Sequence, residues 1–396
     1  AVSTPVQAKT IKKIRKKKVI SSSKPPVGKK QPVHESAVEL KTTLHNLLDE
    51  AAKKASVGIK VVHLTNDMPL FERNAEQFFK PASTTKLFTA AAAYHILGAD
   101  YRCKTQLYTD KKIGAHTINN LYIKGGADPS LTSQDLASLV KQLKNHRNRT
   151  IQGDIIIDDS IIDPKGNPPG RNSADGPIFD KSPIGSLMVN HSCVRVQVKP
   201  ARHTGKKAVV IVDPITPYTR IQNNALTTTR PTKNALHVLR GEQNEIIVRG
   251  AIKRLSTPKH YRFAVEGPTR YTGQVLAGTV KSQSLTFKGK VLFGKVPQGA
   301  TLLAEHASEP ISALVHHLMK SSDNLYSDAL FTLIGAHQHG TPGTWHKGEL
   351  AVKEFLEEVV GLDTDGMKLY DGSGLSHKNK ISPTQLISLL TWVYTS

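Results

Sequence analysis

The sequence predicts a mixed α/β fold of the α+β kind, in which helical stretches near both ends of the chain flank a large, mostly-β insertion. Three observations predict it. Apolar residues recur at helical spacing from about Ser36 to Ala55 and again beyond Pro268. Between Gly98 and Pro268 the texture changes to short apolar runs rich in Val and Ile, separated by polar turns. The stretch after Lys86 is alanine-rich and reads as a helix packed closely on both sides, as a central buried helix would be. Residues 1–35 then form a disordered basic arm, 36–99 and 267–396 one discontinuous domain, and 100–266 the insertion. At 396 residues, 38% hydrophobic and 22% charged, the chain has ordinary globular composition and room for more than one unit.

In chain order, Val38, Leu40, Leu44, Leu47 and Leu48 mark the first helix. Val57–Leu64 reads as a strand, Asn66-Asp67-Met68-Pro69 as a turn and Leu70–Arg73 as the returning strand. Pro81 disfavours helix at the residue before it, so the next helix should begin close to Ser83. Strands in the insertion are expected at 104–108, 153–157, 193–198, 208–212 and 245–249, with a long loop at Gly166–Gly170. After Pro268, helices are expected over 271–280, 311–319, 325–334 and 347–360, the last closed by Gly361, and a further one from Pro383.

Charge and cysteine usage narrow the function classes. The net charge is +22, and residues 1–30 carry ten basic and no acidic side chains. Such an arm has almost nothing to bury and would suit anionic polymers. The rest of the chain has no aromatic-and-basic stripe or nucleic-acid module, so nucleic acid is not the expected partner; anionic wall polymers or lipid headgroups suit an exported chain, and a solvated linker is the alternative. No apolar run approaches the length of a membrane span. The chain opens Ala1-Val2-Ser3 rather than with Met, which suggests a removed secretory signal peptide and an exported protein, periplasmic or associated with the cell wall. Cys103 and Cys193 read as buried free thiols rather than a disulfide. No His, Cys or carboxylate spacing indicates a metal, and no cofactor is expected.

Ser83-Thr84-Thr85-Lys86 carries the chemistry. Ser83 stands at a helix N-terminus, and Lys86 rises from the same face one turn later, within reach of the Ser83 hydroxyl. A lysine whose pKa is lowered by burial can take the proton of a serine and make it a nucleophile. The same spacing also describes an N-cap serine followed by a solvated lysine. A second motif decides between them: Ser322-Asp323-Asn324 opens a helix 239 residues after Ser83.

Ser-x-x-Lys followed by Ser-Asp-Asn resembles the motif pair of the serine penicillin-binding proteins and β-lactamases. Leu121–Leu131 with its Lys124-Gly125-Gly126-Ala127-Asp128-Pro129, Pro342-Gly343-Thr344-Trp345 and Asp371-Gly372-Ser373-Gly374-Leu375-Ser376 narrow the resemblance. Together they are similar to the class C low-molecular-mass penicillin-binding proteins, the D-alanyl-D-alanine carboxypeptidase/endopeptidases, over about Ser36 to Ser396. A large insertion between the first two motifs is part of that resemblance. It implies a transpeptidase-like domain acting on peptidoglycan stem peptides and inhibited by β-lactam antibiotics. It implies Ser83 as the acylated nucleophile, Lys86 as general base, Ser322 as proton relay to the leaving D-alanine, and Asn324 as the residue orienting substrate amide and lysine. Asp175 matches a position contacting the amino end of a diaminopimelate side chain, although Arg171 stands where that family usually has tryptophan.

The resemblance further implies a Lys-Thr-Gly strand beyond Ser376, and none occurs before Ser396. Lys124-Gly125-Gly126 falls in the insertion and is not expected to replace it. On this reading the last strands of the central sheet are missing and the 57–73 hairpin lacks sheet partners. The chain would then be a fragment of a longer enzyme, or a truncated, inactive wall-binding homologue.

Overall fold

A computed structural model of the protein describes residues 33–53, 55–66, 68–145, 147, 149–163, 166–171, 179–229 and 235–396. The chain divides into two units at Val57/Gly58. The described part of the first is a 20-residue helix, Val33–Ala52, which begins three residues before the expected Ser36. The basic arm, apart from the first residues of this helix, lies outside the described residues.

The second unit opens with the expected hairpin, Ile59–His63 against Met68–Arg73, which forms a two-stranded sheet of its own. The chain then reaches a short 3-10 turn, Ala82–Thr84, which runs directly into the helix Thr85–Leu97. Phe88, Ala92 and Ala93 on that helix are fully buried. It is apolar on every side because it sits among the helices Ile311–Ser321, Asn324–His339 and Trp345–Phe355, and alanine lets their backbones come close. Gly335 and Gly348 serve the same end between the latter two helices: a Cβ on Gly335 would lie 2.5 Å from the Gly348 nitrogen.

The strand-rich region forms a second hydrophobic core, built on a five-stranded sheet in the order Val291–Phe293, Ile155–Asp158, Leu121–Lys124, Lys104–Thr109, Thr301–Ala307. The first three strands run parallel and the last two pair antiparallel. Helices Ser133–Asn145 and Pro268–Ser282 pack on it. A three-stranded antiparallel sheet of Val209–Asp213, Cys193–Lys199 and Lys259–Ala264 adjoins the same core.

Two features differ from the sequence expectation. The amphipathic helix Ser133–Asn145 was not foreseen, because its apolar residues Leu136, Leu139, Val140 and Leu143 lie between strand signals in a stretch read as β. Helix Pro268–Ser282 was assigned to the helical domain, yet Tyr271, Val275, Leu276 and Val280 share a core with Leu139, Ile155 and Ile157. The body containing the insertion therefore extends past 266 to the strand Thr301–Ala307, and the helical core resumes at Ile311. Helical periodicity reports that a face is buried; it does not report against what.

Both cysteines are buried free thiols, and burial pushes both thiol pKa values up, that of Cys193 to about 11.

Candidate active site

Ser83 is exposed at the start of the central helix, on a turn that the chain takes at some cost. Ala82, just before it, has φ +48°, a left-handed conformation disfavoured for a residue with a Cβ. Polar contacts hold that turn: Thr85 Oγ1 donates to the Ala82 carbonyl at 2.9 Å and Thr84 Oγ1 to the Pro81 carbonyl at 2.7 Å. Upstream, Phe79 exchanges two backbone hydrogen bonds with Ile381, at 3.0 and 3.1 Å, which ties the approach to Ser83 to the chain just after the Asp371–Ser376 loop.

Lys86 is 1% exposed, and its ammonium has three acceptors in place. Nζ donates to Ser83 Oγ at 3.1 Å, to Asn324 Oδ1 at 2.7 Å and to the Ser373 carbonyl at 2.7 Å. Burial pushes its pKa down and Arg171 adds to that, while Asp328, Asp371 and Asp323 pull it back up. An amine in this position can lose a proton and still satisfy its surroundings. Two N–H groups would remain on Asn324 Oδ1 and the Ser373 carbonyl, leaving the lone pair directed at Ser83 Oγ.

The Asp371–Ser376 loop delivers that carbonyl because buried polar groups clamp it. Asp371 accepts the backbone N–H groups of Gly374 and Ser376 at 2.9 and 2.7 Å and the Asn379 side chain at 2.8 Å. Thr89 and Ser327 both donate to the Gly372 carbonyl, at 2.9 and 2.7 Å. Asp328 accepts the Ser373 N–H at 3.0 Å. Gly374 has φ +84°, and a Cβ there would stand 1.8 Å from the Ala82 carbonyl oxygen, so the loop backbone lies directly against the serine turn.

Under the loop lies a buried ionic cluster. One nitrogen of Arg171, Nη2, donates to Asp328 at 2.5 Å, Asp371 at 2.9 Å and Ser373 Oγ at 3.1 Å. Burial pushes Asp328 up to about 6 against the pull of the guanidinium. The Arg171 guanidinium also sits 5.4 Å from the centre of the Trp345 ring.

Ser322 takes a left-handed conformation, φ +55°, between helices Ile311–Ser321 and Asn324–His339. Asp323 caps the second helix by accepting the Tyr326 N–H at 3.2 Å. Burial works against its charge, yet hydrogen bonds from His191, the Tyr326 amide and His317 hold the carboxyl below its ordinary range. Asn324, first in the helix, points one side-chain atom at Lys86 and donates from Nδ2 to the Asp180 carbonyl at 2.9 Å.

Of the residues singled out from sequence, Ser83, Lys86 and Asn324 meet in one hydrogen-bonded group. Ser322 makes no hydrogen bond to them; it is exposed in the wall of a cavity of about 770 Å³ beside Asn324, shared with His191, Asp323 and Arg262. Asp175 lies outside the described residues. Lys124-Gly125-Gly126 lines a separate cleft of about 650 Å³ that contains neither Ser83 nor Lys86. Sequence reasoning missed Arg171, Asp328 and the Ser373 carbonyl. In the sequence the Asp371-Gly372-Ser373-Gly374 stretch carries only the family resemblance, and Arg171 only a departure from it.

The sequence profile of the D-Ala-D-Ala carboxypeptidase 3 (S13) family matches residues 40–396. A D-alanyl-D-alanine carboxypeptidase of Actinomadura sp. (strain R39) is 31% identical over 364 residues, spanning 89% of this chain and 67% of that protein. The D-alanyl-D-alanine carboxypeptidase DacB of Haemophilus influenzae is 27% identical, over 88% of this chain and 73% of its own length. The crystal structure of penicillin binding protein 4 (dacB) from H. influenzae superposes with a TM-score of 0.75 at 28% identity, covering 85% of this chain and 75% of that one. A second structure of that protein, complexed with a β-lactam, gives 0.69 at 26% identity, covering 86% of this chain and 75% of that one. The chain belongs to the D-Ala-D-Ala carboxypeptidase 3 (S13) family of serine peptidases, the low-molecular-mass penicillin-binding DD-peptidases.

Proposed function

We propose that the chain is a D-alanyl-D-alanine carboxypeptidase and endopeptidase that works on peptidoglycan stem peptides through an acyl-enzyme at Ser83 and is acylated by penicillins at the same oxygen. The observation that carries this reading is the environment of Lys86 Nζ: buried, depressed in pKa, and within 3.1 Å of Ser83 Oγ. Neutral Lys86 takes the Ser83 proton as Oγ attacks the penultimate D-alanine carbonyl. The developing oxyanion is met by the Ser83 N–H at the positive end of the helix that starts at Thr85. Collapse of the tetrahedral species returns the proton by way of Ser322 to the leaving D-alanine nitrogen. Water then hydrolyses the ester, with Lys86 again as base, and Asn324 holds both the substrate amide and the lysine.

The alternative, an inactive wall-binding homologue, is not favoured by this geometry. An ammonium buried at 1% exposure is costly to keep, and here one of its three acceptors is the serine hydroxyl itself. Among the described residues no helix is long and apolar enough to cross a membrane. We read the protein as exported, with the basic arm directed to anionic wall polymers or lipid headgroups. The test is intact mass before and after benzylpenicillin. A stoichiometric adduct mapped to Ser83 and absent from Ser83→Ala supports the reading, and unchanged labelling of Ser83→Ala would sink it.

A further inference from the structure

His191 lies outside the group just described, and the backbone around it is unusual. Asn190, His191 and Ser192 are three consecutive non-glycine residues with positive φ, +53°, +63° and +52°. Single left-handed residues are common in turns, but successive ones are disfavoured and persist only where surrounding contacts over-determine them. Those contacts are present. Asn190 donates from Nδ2 to Ser133 Oγ at 2.7 Å, accepts the Ser133 backbone N–H on Oδ1 at 3.0 Å and donates its own N–H to the Leu131 carbonyl at 2.8 Å. The Ser192 carbonyl accepts the Val265 N–H at 2.9 Å. The turn is thus bolted to the body of the insertion on both sides of His191.

The strained turn aims the imidazole at the motif between Ser322 and Asn324. His191 Nε2 lies 2.9 and 3.0 Å from the two oxygens of Asp323. The ring is stacked on Phe179 with centroids 4.2 Å apart and planes inclined by 17°. Its Nδ1 is buried and has no hydrogen-bond partner among the described residues. Nε2 is the ring nitrogen that faces the carboxylate, so it is the position from which the imidazole donates to Asp323. Asp323 is itself the cap of the helix that begins at Asn324, and its backbone joins Ser322 to Asn324. With His191 on both oxygens, the Tyr326 N–H on Oδ1 and His317 Nε2 at 3.4 Å from Oδ2, the carboxylate has little freedom to swing, and neither has the peptide that carries it.

We propose that His191 is a positioning residue: its Nε2–H fixes Asp323 so that Asn324 Oδ1 stays on Lys86 and Ser322 keeps its place in the cavity wall. The insertion would in this way set the geometry of a motif lying far from it in sequence. The inference rests on the reading of Ser83, Lys86, Ser322 and Asn324 given above. His191→Phe keeps the stack on Phe179 and removes the donor; His191→Gln gives up the ring and keeps a donor of similar reach.

The experiment measures benzylpenicillin acylation over a range of concentrations, separating the non-covalent dissociation constant from the acylation rate constant, together with amide hydrogen exchange at Tyr326. His191→Phe should lower the rate constant tenfold or more with the dissociation constant within twofold of the parent, and should speed exchange at Tyr326. His191→Gln should restore both to within threefold. A His191→Phe protein that acylates at the parent rate, or changes only in dissociation constant, overturns the proposal, as does a His191→Gln protein as slow as His191→Phe. Should the parent protein itself fail to acylate, the function proposed above fails, and exchange decides alone. Faster exchange in His191→Phe and parent-like exchange in His191→Gln support the positioning role; no change in His191→Phe overturns it.

Discussion

Replacing Arg171 with methionine tests whether the loop that serves Lys86 rests on a buried ionic cluster. The substitution keeps a long side chain of similar volume and removes the guanidinium that one nitrogen places on Asp328, Asp371 and Ser373 Oγ. Asp328 and Asp371 are 1% and 0% exposed, so water cannot replace what is lost. Removing one partner of a buried ion pair costs about 3–5 kcal/mol, because the remaining charge is left uncompensated. That cost should depend on pH. Burial already pushes Asp328 up to about 6, above the value it has in an unfolded chain. A carboxyl group shifted upward binds more protons folded than unfolded across the interval between its two pKa values, so its contribution to stability falls as pH rises through that interval. Without Arg171 the interval widens upward, since the guanidinium was the chief influence opposing burial.

Urea unfolding of parent and Arg171→Met at several pH values reads this directly. The deficit should be smaller near about pH 4, below the value to which Asp328 is raised, and should reach about 3–5 kcal/mol by about pH 8. Lys86 adds a second readout. Arg171 lowers its pKa while Asp328 and Asp371 raise it, so at pH values where both carboxyl groups are ionised the variant should hold more of the lysine protonated and acylate more slowly. A deficit below about 1 kcal/mol at the alkaline end, or one that does not vary with pH, would refute the claim that Arg171 neutralises the cluster.

Two further substitutions probe the same site. Lys86→Met should reduce acylation by benzylpenicillin about 10²–10⁴-fold, the range for loss of a positioned general base, as read from the rate of adduct formation. Gly374→Ala places a Cβ 1.8 Å from the Ala82 carbonyl at a residue with φ +84°; it should destabilise by about 1–3 kcal/mol from backbone strain alone in urea unfolding and slow acylation by displacing the serine turn.

The parts legible in the sequence are those whose cause is local. Pro81 announces where the helix after it can begin, the spacing of Ser83 and Lys86 puts both on one face, and Pro383 marks the first position of the last helix. The hairpin and the strands 104–109, 155–158, 193–199, 209–213 and 245–249 follow from alternation and turn residues. What was not legible depends on contacts between distant segments. Arg171 meets Asp328 and Asp371 across 157 and 200 residues, and the carbonyl that Lys86 needs belongs to Ser373, whose side chain says nothing about its backbone. The destination of helix Pro268–Ser282 was missed for the same reason, since an apolar face fits either core.

The clustering of buried charge around Lys86 is the feature that most constrains how this site works. A lysine in an apolar pocket would be a ready base, yet it would leave the ammonium formed at each proton transfer without a partner. A lysine beside two bare carboxylates would remain protonated. Here Asp328 and Asp371 are near enough to support the ammonium, and Arg171, bonded to both, removes much of their charge. The fixed dipoles of Asn324 Oδ1 and the Ser373 carbonyl serve either protonation state, because an amine and an ammonium both have two N–H groups to offer them. In the proposed mechanism the third position alone changes, from a lone pair accepting the Ser83 proton to an N–H returning it. A site arranged in this way can pass a proton back and forth without rearranging its surroundings, which is the requirement of a reaction that deprotonates a serine and then protonates a leaving nitrogen.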